Sequence, residues 1–304
     1  MKLGYIGLGK MGLAMVENLI EHNHEVIATN RSEPAIKKAE AAGAVAAYSL
    51  EELVVSLQNE GRKIIWLMVP WQAVDGVLKE LTPLLAEGDL VIDGGNSPYQ
   101  ETIRRAKELT DLGITFMDIG VSGGPGGARN GACMMTGGEK KDFLLLESLI
   151  KDLCVENGYG YMGKHGAGHF VKMVHNGIEY GMMQAIGEGF EVMKKAPEFE
   201  IDLESVVGVY NNGSVIESSL IGWLADGFKK YGTELEEVSG EVSHSGEGLW
   251  TVEAAKRNNV PVPIIEGSLR FREDSQGNPS YTGKVVSVQR NMFGGHDVTQ
   301  NKEA

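Results

Sequence analysis

Three glycines near the start constrain the fold more than any other feature of this chain. The segment "KLGYIGLG" reads as a strand that runs into glycine, and "MGLAMVENLIEHN" continues as a helix, so Gly7, Gly9 and Gly12 form a G-x-G-x-x-G pattern at a strand-to-helix turn. The pattern alone is weak, but this setting is the one that gives it meaning. Gly7 permits the tight turn, Gly9 lets a pyrophosphate approach the backbone, and Gly12 lets helix and strand pack closely, with the helix N-terminus facing the phosphates. The alternation continues. "HEVIATN", the nearly continuous apolar "KIIWLMVP", "DLVIDGGN", "ITFMDIGVSGG" and "ACMMTGG" read as strands. "EPAIKKAEAAGA", "SLEELVVSLQNEG", "AVDGVLKELTPLLAEG", "SPYQETIRRAKELTDLG" and "DFLLLESLIKDLC" read as helices. Such a run predicts an α/β, doubly wound, mostly parallel sheet of Rossmann type.

The end of the second strand selects the dinucleotide. An acidic residue there would bind the ribose diol of NAD, but this chain has Asn30-Arg31-Ser32. No carboxylate repels a 2′-phosphate, and Arg31 can pair with it or stack on it, so NADP is expected in preference to NAD. The expected cofactor contacts are Gly7, Leu8, Gly9, Lys10, Met11, Gly12, Asn30, Arg31, Ser32, Met68, Val69 and Asn96.

After about residue 160 the character changes. "GAGHFVKMVHNGIEYGMMQAIGEGFEVMKKA", Gly166 to Ala196, reads as one long helix. "DLESVVGVYNNGSVIESSLIGWLADGFKKY" and "GLWTVEAAKRNNV" follow as helical stretches, and a last helix spans roughly Tyr281 to Phe293. No strand run stands out, which predicts residues 1–164 as a dinucleotide-binding domain and 165–304 as an all-helical domain for substrate and assembly. A chain of 304 residues suits two cores. The tail after His296 is short and polar and is expected to be disordered.

A net charge of −14 argues against nucleic acid as a partner. An anionic small substrate would need a local basic pocket, which makes the few arginines informative. No apolar run approaches the roughly 20 residues of a membrane span, so no membrane partner is expected. The start enters a strand pattern directly, without the layout of a signal peptide, and a cytoplasmic location is expected. Cys133 and Cys154 lack metal-ligand spacing and read as packing residues.

The long helix raises a chemical question. Lys172, His175, Asn176, Glu179 and Tyr180 are spaced i, i+3, i+4, i+7 and i+8, which at about 100° per residue confines them to an arc of roughly 140°. Phe170, Val171, Val174, Ile178 and Ala185 fall on the other side. Charges on a core-facing stripe are costly unless used. Gly177 and Gly181 are expected to allow close helix contact, and Met182, Met183 and Met193 to lie in the core. Two further segments converge with the stripe: "DGGNS", Asp93 to Ser97, at a strand end, and "VSGGPGGARNG", Val121 to Gly131, whose glycines can expose N–H groups to a carboxylate.

Together these segments resemble the 6-phosphogluconate dehydrogenases of the β-hydroxyacid dehydrogenase superfamily. "GAGHFVKMVHNGIEYG" is close to that family's signature, "RNMFGGH" resembles its C-terminal ending, and "NRS" its NADP-type motif. The chain looks like the short form, lacking a duplicated helical unit. The resemblance implies that Lys172 is the general base and Glu179 the general acid. It implies that Asn96, Ser122, Gly123, Gly124, His175 and Asn176 hold the sugar acid, and that Tyr180 binds its phosphate. Arg290 and His296 would reach in from a neighbouring subunit of a homo-oligomer, a dimer or tetramer with shared sites. The implied reaction is oxidative decarboxylation of 6-phosphogluconate to ribulose 5-phosphate and CO2 with reduction of NADP, without a metal. One departure stands out: "SGEGLWT" has Leu249 where long-form enzymes have a phosphate-binding lysine, so phosphate would rest on Tyr180, Arg290 and Arg270 or Arg272. Two other readings stay open here. One is a related dehydrogenase of a small unphosphorylated 3-hydroxy acid, and the other a non-enzymatic NADP-binding sensor.

Overall fold

In the computed structural model, which describes residues 1–298, the chain divides into two compact units, Met1–Lys172 and Met173 onward. The first holds an eight-stranded sheet in the order β3-β2-β1-β4-β5-β6-β7-β8. Its strands are β1 Lys2–Ile6, β2 Glu25–Thr29, β3 Val45–Ala46, β4 Ile64–Leu67, β5 Leu90–Asp93, β6 Thr115–Ser122, β7 Ala132–Gly138 and β8 Cys154–Gly163. Only the β6–β7 pair is antiparallel. The helices are α1 Lys10–Glu21, α2 Glu33–Ala41, α3 Leu50–Ser56, α4 Trp71–Leu81, α5 Tyr99–Asp111, α6 Gly124–Asn130 and α7 Lys140–Asp152. Alternate residues of the central strands feed two cores. Tyr5, Trp66, Ile92 and Met117 join one, and Ile6, Leu67, Val91 and Phe116 the other, as the period-2 pleat requires. This burial on both faces explains the apolar run in "KIIWLMVP".

Strand order reverses at the β1/β4 boundary, where open α/β sheets bind ligands at the strands' carboxyl ends. Gly7 follows β1 there and Met68–Val69 follow β4.

β8 was not anticipated. Its sequence, CVENGYGYMG, is poor in β-branched residues, and most of it is half-exposed at the sheet edge. Tyr159 and Tyr161 nevertheless pack on Phe143, with ring centroids 6.4 and 5.6 Å away. The glycine run after β6 is also more ordered than a loop, since Gly124–Asn130 forms α6. Cys133 is exposed rather than packed, because it points outward from β7, and Cys154 is half-buried.

α8, Ala167–Lys194, begins in the first unit and continues into the second. The second unit also contains α9 Leu203–Tyr210, α10 Ser219–Tyr231, α11 Glu247–Arg257, α12 Pro263–Asp274 and α13 Tyr281–Gly294, with no strand among its described residues. Ser218 and Ser280 cap α10 and α13 through their hydroxyls. Phe190, Val207, Leu224, Phe228, Val285 and Val288 form its main core. α12 was not anticipated, and the stretch before Tyr231 is broken into α9 and α10 by the turn around Gly213.

The buried face of α8 carries the close glycine contacts expected at Gly177 and Gly181. Met173, Gly177, Tyr180, Gly181, Gln184 and Gly187 are buried, while Ile178, Ala185 and Met182 are exposed. Backbone proximity explains the small residues there. A Cβ at Gly177 would lie 2.7 Å from the Thr251 methyl, and one at Gly181 3.1 Å from Ile264. The helices approach so closely that glycine, not bulk, is what fits. Met183 is in the core and Met193 packs at its edge, so of the three methionines Met182 is the exception. The tail expected to be disordered lies, from Thr299 onward, outside the described residues.

Candidate active site

The dinucleotide end of the first unit is built by exclusion of side chains. Gly7 has φ +107°, and a Cβ there would strike the Met68 carbonyl and sit 2.8 Å from Val69. A Cβ at Gly12 would strike the Gly7 carbonyl, while Gly9 faces open space at the N-cap of α1. The first turn of α1 has no acidic residue, and its N-terminal N–H groups and dipole suit a pyrophosphate. Asn30 Oδ1 accepts from Leu8 N at 3.2 Å, and Asn30 Nδ2 donates to Ser32 Oγ at 3.0 Å, tying the β2 end to the glycine turn. Arg31 beside them is exposed. These residues fit a nicotinamide dinucleotide.

Lys172 and Asn96 meet within the same unit, with Lys172 Nζ donating to Asn96 Oδ1 at 3.1 Å. Two buried carboxylates set this contact. Asp93 Oδ1 accepts from Gly95 N at 3.0 Å and its Oδ2 from Ser97 Oγ at 2.7 Å, bracketing Asn96. Asp118 on β6 accepts from Gly166 N at 2.7 Å and His169 N at 2.9 Å, pinning the start of α8. His169 Nδ1 lies 2.7 Å from Thr102 Oγ1. A Cβ at Gly120 would collide with the Lys172 stem, and one at Gly168 would come within 2.8 Å of the Asp118 carbonyl. The helix therefore rests directly on β6 and β7, which fixes where Lys172 begins. Ser122 is half-buried at the end of β6, and Gly123, at φ +118°, leads into Gly124 and α6.

A second constellation lies in the other unit. His175 Nδ1 is 2.9 Å from Asn176 Oδ1 and 3.9 Å from Glu179 Oε2. Asn176 Nδ2 donates to Glu247 Oε1 at 3.0 Å. The Arg272 guanidinium lies 3.4 Å from the Tyr180 ring centroid, and a Cβ at Gly248 would strike the same ring. Arg272 is 2 % exposed, its Nη2 has no hydrogen-bond partner among the described residues, and burial lowers its pKa to about 10. Arg290 is also buried, donates to Ser243 Oγ at 3.2 Å, and is lowered by burial. Burial raises the Tyr180 phenol, against the pull of Arg272. Two buried cations, one of them stacked on Tyr180, make a site that favours a multiply charged anion.

Several expectations are thereby refined. Arg290 is buried and interacts electrostatically with Tyr180, Glu179 and Glu247 of the same chain. His296 is exposed just beyond α13, its ring 6.1 Å from that of Phe293. Of the two arginines considered for phosphate, Arg270 is exposed and Arg272 buried. Leu249 is 37 % exposed and offers no charge. Asp93, Asp118 and Glu247 were missed as positioning groups. Their signal is weak in sequence, because a carboxylate at a strand end or helix start is also an ordinary surface residue.

Among the described residues no helix is long and apolar enough to cross a membrane. Residues 2–163 match the family model of the NAD binding domain of 6-phosphogluconate dehydrogenase, and residues 168–283 that of the 6-phosphogluconate dehydrogenase C-terminal domain. The chain is 46% identical over 296 residues to the Bacillus subtilis protein YqeC, provisionally named a 6-phosphogluconate dehydrogenase, covering 97% of this chain and 98% of that one. It is 40% identical to an NAD(+)-dependent, decarboxylating 6-phosphogluconate dehydrogenase of Haloferax volcanii over the full length of both. Among solved structures, Plasmodium falciparum 6-phosphogluconate dehydrogenase superposes with a TM-score of 0.81 at 26% identity, covering 96% of this chain and 70% of that one.

Proposed function

The chain belongs to the 6-phosphogluconate dehydrogenase family and is an oxidoreductase with a nicotinamide dinucleotide cofactor, and we propose that it converts 6-phosphogluconate to ribulose 5-phosphate and CO2 with reduction of NADP. The observation that carries the substrate is the buried pair Arg272 and Arg290 around Tyr180. An unphosphorylated 3-hydroxy acid leaves Arg272 Nη2 without a hydrogen-bond acceptor, whereas a phosphate group supplies one. They take the place of the lysine lost at Leu249.

The residues divide the chemistry as follows. Asn96, Ser122, Gly123, Gly124, His175 and Asn176 hold the sugar acid. Lys172, in its neutral form, removes the C3 hydroxyl proton as C3 is oxidised. The Gly7–Gly12 turn would hold the pyrophosphate of the dinucleotide, whose nicotinamide would supply the acceptor for the C3 hydride. Lys172 returns its proton to the C3 oxygen as the C1–C2 bond breaks and CO2 leaves, which produces an enediol. Glu179 protonates the carbon that lost CO2, and Lys172 takes back the enol proton to give the ketone. One amine and one carboxylic acid thus cover every proton transfer.

The absence of a carboxylate in Asn30-Arg31-Ser32 supports NADP over NAD. The exposed position of His296 supports a homo-oligomer in which that residue serves a neighbour. A spectrophotometric assay tests the whole reading. 6-Phosphogluconate with NADP is expected to exceed gluconate and 3-hydroxyisobutyrate in kcat/KM by at least about 100-fold, as a site built around a charged group requires. CO2 should be released in step with NADPH. Equal use of gluconate overturns the phosphate assignment, and preference for 3-hydroxyisobutyrate overturns the reaction.

A further inference from the structure

Glu247, the first residue of α11, is 4 % exposed, and its Oε1 accepts from Asn176 Nδ2 at 3.0 Å. An ionised carboxylate only accepts hydrogen bonds, so the Asn176 amide turns its nitrogen toward Glu247 and its oxygen away. That oxygen lies 2.9 Å from His175 Nδ1. An amide oxygen also only accepts, so Nδ1 is the nitrogen that bears hydrogen. Glu179 Oε2 lies 3.9 Å from the same nitrogen, beyond hydrogen-bond distance. Arg272 and Arg290 interact electrostatically with the Glu247 carboxylate.

We propose that Glu247 is a positioning residue that acts through Asn176 to hold neutral His175 as its Nδ1–H tautomer, making Nε2 the accepting nitrogen that reads a hydroxyl group on the substrate. The His175 side chain is 39% exposed. A ring in this state rewards a hydrogen-bond donor at its Nε2 side and penalises a keto or carboxylate oxygen there. A polyhydroxy acid meets that requirement and its oxidised product at the same position does not. Only this last step rests on the substrate proposed above, since the tautomer follows from Glu247 and Asn176 alone.

The test is 15N-histidine NMR of the ligand-free full-length protein, at a pH where His175 is neutral. The protein has 7 histidines, and the His175 pattern is assigned by its loss in His175→Gln. In wild type, Nδ1 should be the protonated, pyrrole-type nitrogen and Nε2 the pyridine-type one. Glu247→Gln can present either a donor or an acceptor to Asn176, so the His175 pattern should move toward the Nε2–H form. Asn176→Leu removes the relay from the middle and should do the same if Glu247→Gln fails to fold. An Nε2–H pattern in wild type overturns the proposal, as does an unchanged Nδ1–H pattern in the variants, which would assign the tautomer to Glu179. With 6-phosphogluconate, Glu247→Gln should lose about tenfold in kcat/KM, the worth of one misdirected hydrogen bond, at unchanged KM for NADP. A wild type with the Nδ1–H pattern but no turnover of 6-phosphogluconate overturns the proposed substrate and leaves the tautomer standing.

Discussion

Arg105 in the first unit and Arg272 in the second are both almost wholly buried, yet their surroundings differ. Arg105 donates to Asp75 at 2.8 Å, to the Trp71 carbonyl at 3.0 Å and to Ser97 at 3.3 Å, and lies 3.7 Å from Asp93. Arg272 stacks on Tyr180 and keeps Nη2 without a hydrogen-bond partner among the described residues. A buried charge is tolerable when paired and costly when not. Arg105 is therefore a strut, holding the loop that presents Asn96. Arg272 is a cation kept ready for something the chain itself does not supply.

The sharpest way to break that comparison is to delete each arginine in turn. Arg272→Ala should lower kcat/KM for 6-phosphogluconate by about 1,000-fold, through loss of charged hydrogen bonds to phosphate, with unfolding in urea unchanged or slightly harder. Arg105→Ala should cost about 3 kcal/mol of stability because it leaves Asp93 buried and uncompensated. The reverse pattern, stability lost at Arg272 and activity alone lost at Arg105, would invert the assignment.

Asp118 sharpens the contrast from the acidic side, since it is fully buried and satisfied and accepts from His169 N, one turn before Lys172 on α8. Asp118→Asn retains shape but can accept only through its single oxygen. It should reduce kcat about 30-fold, with the KM for NADP retained, because it misplaces the lysine without touching the dinucleotide turn. Asp118→Glu should recover part of the loss if positioning is the cause. An exposed cation should matter less than either. Arg31→Ala is expected to weaken NADP use about tenfold, with NAD use nearly unchanged, since screening by solvent limits an exposed ion pair. Equal losses with both cofactors would remove Arg31 from 2′-phosphate recognition.

The smallest expected effect is a null one. Lys172→Ala and Arg290→Ala proteins, each inactive, should stay inactive when mixed and allowed to exchange subunits. Arg290 is buried beside Tyr180 of its own chain, so the Arg290→Ala lesion stays with its own site. Return of about a quarter of wild-type activity, as random pairing in an isologous dimer gives, would show that Arg290 serves a neighbour after all.

The first unit was the more legible. Its βα alternation, the three glycines and the apolar run of β4 are local patterns, and local patterns report period and turn chemistry faithfully. β8 escaped because an edge strand with one half-exposed face needs neither alternation nor β-branched residues. On α8 the helix itself, its polar stripe of Lys172, His175, Asn176 and Glu179, and the close contact at Gly177 and Gly181 were readable from the sequence. Which neighbours make those contacts was not: Thr251 lies against Gly177, Ile264 against Gly181 and Thr282 against Gly187.

By itself, then, the amino-acid order determined that a dinucleotide fold precedes a helical unit, and which helix bears the chemical groups. Periodicity and glycine placement act within a few residues, and they survive without knowledge of what packs where. Only the tertiary structure decided that Arg272 rather than Arg270 is buried, that Arg290 is buried as well, and that Asp118 and Glu247 aim other side chains. Those outcomes depend on pairs such as Asn176 with Glu247 and Tyr180 with Arg272, which lie 71 and 92 residues apart in sequence. Contacts of that range are made by the folding of whole helices against one another, and no local pattern encodes which face of each will meet.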